Sequence, residues 1–538
     1  MAKYQDPELK KFDLENFQGG FNSYSGGKRT VKDNEFPYGL NVVLDNNGSA
    51  TKRSGSLVYG AEISAGKAIR GLGWLYNATH NKLIVAAGTT WNYNDGSTTA
   101  ALTGMAFTDD KQTDFCQAID RLYGANGADN LAYTTDGAAV TEVTANGNVG
   151  RWPLYYNQRL YMTNTTYKDR IYYSNPITAT ESSYAVGNFG TFDTNLSATP
   201  KKNAGFIILI PGGGVEITRI WKDNTSGTEY VYAYTKRHGI WRLTASSTPN
   251  TDGSINHSIV QIITSNGTPS GQSIVKVAND QWFFGGDNFY TYGESAQYQN
   301  LRLTTKSGRI RTEVNAIADK STVCGGFYKD KIYFSYMAGT YNDRVLVYDV
   351  KMNAWGSPLQ GINANCFLEF EGSDGVTRFL SGSSNSADSY VYQLEQGSND
   401  VSTAINGYFE TKSTDCGTKL KKYFAFIDVY CTMVFGTLTY EVFIDEVSSI
   451  TGQVQIGNSS DKPAGLGSLP FGSFMIGAEY DANTTSATLQ QNSQFRIECN
   501  YATGKTISVR FTNNVTGEQF KVDGLSVYFD PAESPYDE

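Results

Sequence analysis

The residues that could do chemistry in this chain are few and scattered. There are three histidines, His80, His238 and His257, far apart and in no metal-binding spacing. No His-Glu-x-x-His, Cys-x-x-Cys or Cys/His cluster occurs, so the spacing offers no zinc site and no metal or other cofactor is expected. The six cysteines (116, 324, 366, 416, 431, 499) read as reduced, buried thiols. No Gly-x-Ser-x-Gly elbow is present, and so few histidines leave a Ser–His–acid triad without a base. Pro211-Gly-Gly-Gly-Val215 lacks the Lys-Ser/Thr that makes a phosphate loop. Asn94-Asp-Gly-Ser97, Thr135-Asp-Gly137 and Ser373-Asp-Gly375 lack the Trp that would complete a sialidase Asp-box. They read as tight turns in which glycine takes positive φ. Asp45-Asn-Asn-Gly48 offers oxygen ligands but no downstream bidentate Glu, which favours a hairpin turn over calcium. Lys412, Lys419, Lys421 and Lys422 read as a solvated strand edge before they read as a phosphate contact. No catalytic, cofactor-binding or metal-binding residue is assigned, and the expectation is a protein that is not an enzyme.

Composition says what must hold these residues. Among 538 residues, 55 are Gly and 64 are Tyr or Phe, while only 18% are charged and 13 are Pro. Glycine and aromatics with few charges suit short strands and tight turns, so an all-β class is expected. The net charge of −9 argues against general nucleic-acid binding, which needs a basic surface, though not against contact with DNA in transit. No apolar run reaches the ~20 residues of a membrane-spanning helix. The start, Met-Ala-Lys-Tyr-Gln-Asp, carries no apolar export segment.

One phrase repeats from Leu72 to Leu394: aromatic strand, polar turn, aromatic strand. Lys82 to Tyr93, Arg159 to Asn164, Tyr230 to Arg242, Asp280 to Tyr292 and Tyr328 to Trp355 are examples. A recurrence every roughly 40–50 residues is the signature of a β-propeller. Blades are expected near 69–95, 117–145, 151–176, 215–245, 272–294, 322–356 and 364–395; six or eight blades fit the same spacing. Segment 177–213 reads as a long insertion and 245–270 as a polar blade-edge loop. Ile310, Val314 and Ile317 allow a short helix between blades.

Outside the repeat, residues 1–60 form an N-terminal arm ending in a hairpin: an apolar strand from Val42, an Asp-Asn-Asn-Gly turn closing at Gly48, and a return strand over Ala50 to Gly55 that carries Lys52 and Arg53. Residues 403–538 alternate apolar and polar with period two, as in a β-sandwich, broken by a loop-rich stretch at 446–492 and closed by an acidic tail. The expected division is therefore 1–60 as part of a platform, 61–402 as propeller and 403–538 as sandwich.

Three pieces together carry a resemblance. They are Phe17-Gln-Gly-Gly-Phe21 with Asn41-x-x-x-Asp45-x-x-Gly48-x-x-x-Lys52-Arg53-x-Gly55, the blade at 328–355, and a sandwich running from Glu410-Thr-Lys412 to Gly504-Lys-Thr-Ile-Ser-Val-Arg-Phe511. Their order is similar to that of the propeller-bearing tail nozzle, or tail hub, proteins of short-tailed bacteriophages. The resemblance implies a virion structural protein made in the host cytoplasm. It implies a homo-oligomeric ring, six copies in that family, bounding a DNA-ejection conduit and docking adaptor, portal-side connector and fibre proteins. It also implies that 1–60 and 403–538 pack together, with 177–213 or 446–492 as loops that narrow the lumen. The rival expectation is an adhesin whose propeller-top aromatics, Trp91 and Tyr93, grip a host-surface glycan, although turn or core packing is the commoner role of such residues. A sialidase-type enzyme is the third.

Overall fold

The computed structural model describes residues 9–24, 27–143, 149–174, 205–209, 214–225, 228–246, 255–294, 301–433, 436–456 and 491–531. They form an all-β protein. Among these residues, seven antiparallel sheets follow one another, their leading strands packed side by side. The leading strands are Ile69–Tyr76, Asp114–Ala118, Gly150–Tyr156, Ile217–Thr225, Val275–Val277, Asp319–Tyr328 and Ala364–Glu371. Between the fourth and fifth, the short turn Gly271–Ser273 makes the contact. The last strand packs back against the first, so the ring of sheets closes. This is a β-propeller.

Most gaps between neighbouring sheets hold their own apolar cluster, fed by the inward residues of both, whereas the fifth opens into a larger apolar core. Trp91, Leu102, Phe107 and Leu122 fill the first, and Tyr232, Tyr234, Phe283 and Tyr290 the fourth. Tyr333, Val345 and Phe379 fill the sixth, and Ile69, Val85, Phe370 and Val391 the last. A fully buried apolar or aromatic side chain contributes roughly 1.5–3 kcal/mol. The repeated aromatic strands therefore supply the cohesion between blades.

Five of the predicted blades cover three strands of a larger sheet, whereas 117–145 and 322–356 take in four. The outer strands Thr99–Ala101, Gly205–Ile208, His257–Ile263 and Leu301–Thr305 complete the first, third, fourth and fifth. Two predicted loops thus contain strands: 205–208 within the expected insertion and 257–263 within the expected blade-edge loop. Ser56–Val58 completes the seventh sheet, with Leu57 opposite Gln393. That corrects the boundary at residue 60, because the end of the arm belongs to the propeller. The expected helix is present as Arg311–Asn315, with Ile310, Val314 and Ile317 buried.

The remaining strands make a two-sheet sandwich from both ends of the chain. One sheet runs Gln491–Gly504, Lys422–Met433, Lys521–Pro531, Ala50–Lys52, Val42–Leu44, with Lys10–Leu14 added to Lys521–Pro531. The other runs Tyr38–Leu40, Gly407–Glu410, Ile507–Asn513, Gly436–Ile444, Val447–Ile456. Between them Phe409 packs on Phe17, Phe36 and Phe511, with ring centroids 5.1, 5.6 and 5.5 Å apart. The same apolar core continues into the fifth and sixth blades through Phe21, Phe289, Phe334 and Trp355. Gly20, at φ +72°, makes this possible: a β-carbon there would stand 2.5 Å from the Trp355 carbonyl oxygen.

The chain enters and leaves the propeller through one junction. Arg53, fully buried, donates through Nη1 to Asp400 Oδ1 (2.9 Å), pairs again through Nη2 with Asp400, and donates to the Gln360 and Ser54 carbonyls. Its Nε donates to Asn41 Oδ1 at 3.0 Å, and Asn41 Nδ2 donates to the Asn406 carbonyl. Beside it, Lys52 Nζ donates to Asn513 Oδ1 (2.6 Å) and the Glu518 carbonyl (2.9 Å); burial pushes this amine down to about 8.

Closure and junction can each be tested. The Leu57 side chain is largely exposed, so Leu57→Pro removes a ladder donor without emptying the core. Hydrogen exchange should then accelerate in 364–394 and 69–87, whereas unchanged protection there would mean that the closing strand does not hold the ring. Arg53→Met leaves Asp400 without its partner and should cost about 3–5 kcal/mol in denaturant unfolding. Adding Asp400→Leu should recover at least half of that loss.

Candidate functional site

None of the chemistry-bearing residues picked out by type come together. His80 and His238 use their backbone N–H groups in turns, to Asn77 Oδ1 and Thr235 Oγ1. His257 Nε2 lies 3.1 Å from the Tyr161 hydroxyl between the third and fourth blades. Burial, with Arg159 nearby, pushes His257 down to about 4. All six cysteines are free, and burial raises each thiol, Cys116 to about 11 and Cys366 to about 12, which makes poor nucleophiles. Among the described residues no cluster of three metal-ligating side chains occurs.

The Asp-Gly and Asp-Asn-Asn-Gly segments are turns. Asp45 Oδ1 accepts the Asn47 and Ser49 N–H groups while its other oxygen meets Lys521 at 2.5 Å. Asp95 accepts the Ser97 and Thr98 N–H groups and is held well below the usual carboxylate range by them.

Two expectations need correction. Trp91 is 1% exposed, stacked on Phe107 at 4.8 Å and edge-on to Phe115, so it belongs to the core between blades and cannot grip a glycan. Tyr93 is covered by the Lys82 ammonium 4.8 Å from its ring. Lys422 is no solvated edge lysine: it is buried and donates to the Thr418, Leu420 and Lys505 carbonyls. Lys412 pairs with Asp33 at 2.7 Å. Residues 177–204 and 457–490, the bulk of the two expected lumen loops, lie outside the described residues.

The constructed site is at the propeller axis. Five of the seven leading strands lose register near the centre: between Ile69 and Gly71, Arg151 and Leu154, Ile217 and Arg219, Asp319 and Cys324, and Ala364 and Cys366. A bulge turns side chains out of the alternation of its strand. The residues so displaced, Arg70, Trp152, Thr218, Ser321, Thr322 and Asn365, all line one cavity of about 520 Å³. Trp152 adopts φ +58°, a strained conformation for a bulky residue.

Beneath the cavity a polar brace crosses the axis. Asp114 of the second blade accepts from Arg151 Nε (3.1 Å) and Nη2 (3.0 Å) of the third, and from Gln272 Nε2 (2.6 Å), which leads into the fifth. Burial raises the Asp114 carboxyl above its ordinary value even so. Arg219 Nη1 donates to the Gly271 carbonyl (2.7 Å), and its guanidinium is pushed down to about 10 by burial. The Arg151 and Arg219 guanidinium carbons stand 4.5 and 4.8 Å from the Trp152 ring. Asn365 Nδ2 donates to the Ile69 carbonyl and Gln112 Oε1, tying the seventh blade to the first. A smaller cavity of about 210 Å³ also touches Gln112, Trp152 and Gln272. The axis is thus a braced socket. Sequence reasoning missed it because nothing local marks a bulge, and the isolated Arg70, Asp114, Arg151 and Gln272 meet only once the ring closes.

The architecture defines the chain as a β-propeller joined to a β-sandwich. No family model matches the sequence, and no curated protein does. Solved structures that resemble it are the computationally designed Ika8 protein (TM-score 0.36, 10% identity, 63% of this chain and 99% of that one) and BBS1N in complex with ARL6DN (0.38, 10%, 65% and 99%). The extracellular domain of the putative one component system BT4673 from B. thetaiotaomicron is a third (0.40, 9%, 89% and 63%). At these values no function carries over from any of them.

The His257 environment makes stability pH-dependent. The folded value near 4 lies below the ordinary 6.5, so the unfolded chain binds the extra proton. This contribution is complete above pH 6.5 and is lost as pH falls towards 4, on the order of 3 kcal/mol. Thermal unfolding should shift down over that window, and His257→Gln should flatten the shift; an identical pH profile in the variant would rule out this histidine as its source.

Proposed function

We propose that this chain is a structural subunit of a bacteriophage tail, a nozzle or hub protein that assembles into a homo-oligomeric ring around the DNA-ejection conduit. Adaptor, portal-side connector and fibre proteins dock on that ring, and the protein works in the virion without catalysis. The observation that carries this reading is the sandwich built jointly from residues 10–52 and 407–531, with the propeller inserted between its halves. That is the arrangement implied by resemblance to the tail nozzle proteins.

Two features of the sandwich support assembly. Its sheets end in long strands, Val447–Ile456 and Gln491–Gly504, each with one edge unpaired among the described residues. One end also carries exposed apolar side chains: Val447 (66%), Tyr501 (58%), Leu420 and Tyr423. The end is shared because Lys422 Nζ bonds both the Leu420 and Lys505 carbonyls, while Asp445 accepts the Lys505 N–H. Head-to-tail contact of such an end with a neighbour's edge strand closes a ring when the rotation per subunit divides the circle. The lumen then lies between copies, because the propeller axis itself is braced shut by Gln272 and Asp114.

Electron microscopy of the purified chain, alone and with phage connector proteins, tests the proposal. Rings with a central pore are expected. Val447→Glu with Tyr501→Glu should leave the fold intact and shift the population to monomers. A monomer that forms no ring with or without connectors overturns it.

A further inference from the structure

The axial cavity has features of a ligand site that the structural role does not use. The geometry points to an acidic saccharide, a uronic- or sialic-acid-bearing oligosaccharide, bound in the mouth of the propeller with its carboxylate against Arg151 and Arg70. The inference stands on the cavity alone and is independent of ring assembly.

Charge is the first argument. Four cations line the cavity, Arg70, Arg151, Lys168 and Lys236; Asp110 pairs Arg70, Asp114 beneath pairs Arg151 and Glu216 serves both lysines, which leaves one positive charge in excess in a chain whose net charge is −9. Both lysines share the one carboxylate of Glu216, at 3.7 and 3.5 Å, and both are half-exposed or more. Such loose, exposed pairs hold each other weakly and release cations to a ligand. Arg151 commits Nε and Nη2 to Asp114 and keeps a third of its side chain exposed, so its orientation is fixed before any ligand arrives. A pre-oriented guanidinium recognises a carboxylate with little entropic cost.

The rest of the lining selects the class of anion. Hydroxyls and amides of Thr163, Asn164, Thr165, Thr218, Thr322 and Asn365 surround the cations, which suits a ligand rich in hydroxyl groups. A nucleotide is disfavoured, because the aromatic wall cannot stack on a base: Trp152 is 6% exposed and carries Arg151 and Arg219 close to its ring. The volume, about 520 Å³, falls among those of small-ligand sites. Finally, the cavity is built at a cost. Five bulges aim side chains into it, and Trp152 at positive φ stores strain of the kind that concentrates at binding sites.

Isothermal titration of the full chain with sialyllactose and with oligogalacturonate tests the inference, with lactose and inorganic phosphate as controls. Saturable binding of at least one acidic saccharide is expected, with no binding of lactose and weakening as salt rises. Lys168→Glu with Lys236→Glu, which disturbs only exposed pairs, should reduce affinity at least tenfold without changing the unfolding temperature. Arg151→Lys should weaken it further. No binding at millimolar concentration, equal binding of lactose, phosphate as the sole ligand, or a charge-reversed variant within twofold of wild type would each overturn it.

Discussion

The buried Arg53–Asp400 pair is the constraint on which both halves of the molecule depend. Taking a guanidinium and a carboxylate out of water costs several kcal/mol for each ion, and the attraction between them repays this only with good geometry and further hydrogen bonds. Both conditions hold here: two contacts to Asp400, one to Asn41 and two to backbone carbonyls satisfy the fork. The groups it gathers come from distant segments of the chain. Asn41 leads into a sandwich strand, Gln360 belongs to the sixth blade, and Asp400 follows the seventh. A hydrophobic cluster of equal volume could match the stability, but it would not fix which of these segments meet. The pair therefore sets register between propeller and sandwich, and Gly55, whose N–H reaches the Gly397 carbonyl, passes that register directly to the closing strand.

Closure then dictates what happens at the axis. Leading strands that converge on a centre cannot keep ideal pleating and also leave room for side chains. The bulges in the first, third, fourth, sixth and seventh blades relieve that crowding. They free polar residues from alternation: Arg70, Thr218, Ser321 and Thr322 keep access to solvent, whereas the buried Asn365 must find partners. Asn365 finds Ile69 and Gln112, while Asp114 with Arg151 and Gln272, and Arg219 with Gly271, pair the polar groups that stand beside the bulges. The network ties neighbouring blades and spans the ring, so the socket is as rigid as the wheel around it.

The sequence showed the parts whose signal is periodic or local. Aromatic strands with polar turns disclosed the inner three strands of each blade, the Asp45 to Gly48 turn disclosed its hairpin, and Phe17 to Phe21 marked a close backbone approach. Outer strands were hidden because they face solvent and carry little apolar alternation: Thr99–Ala101 is half to fully exposed, and His257–Ile263 alternates mostly between exposed and half-buried positions. Ser56–Val58 was hidden for another reason, since pairing across more than 330 residues leaves no local trace. Lys422 looked like its neighbours Lys419 and Lys421 because a lysine's burial depends on the carbonyls around it. The axial site was illegible throughout, because register shifts are decided by convergence in space.

A rigid, braced wheel restricts how any conduit can be made. With Gln272 meeting Asp114 across the axis, no polymer threads a single propeller, so a channel of duplex width requires several copies and surfaces outside the wheel. The sandwich offers two long edge strands and several exposed apolar side chains at one end for such contacts, whereas most of the blade aromatics are buried in the gaps between sheets. The chain as a whole carries a net charge of −9. An acidic wall facing a lumen repels phosphate and keeps a passing duplex from adhering.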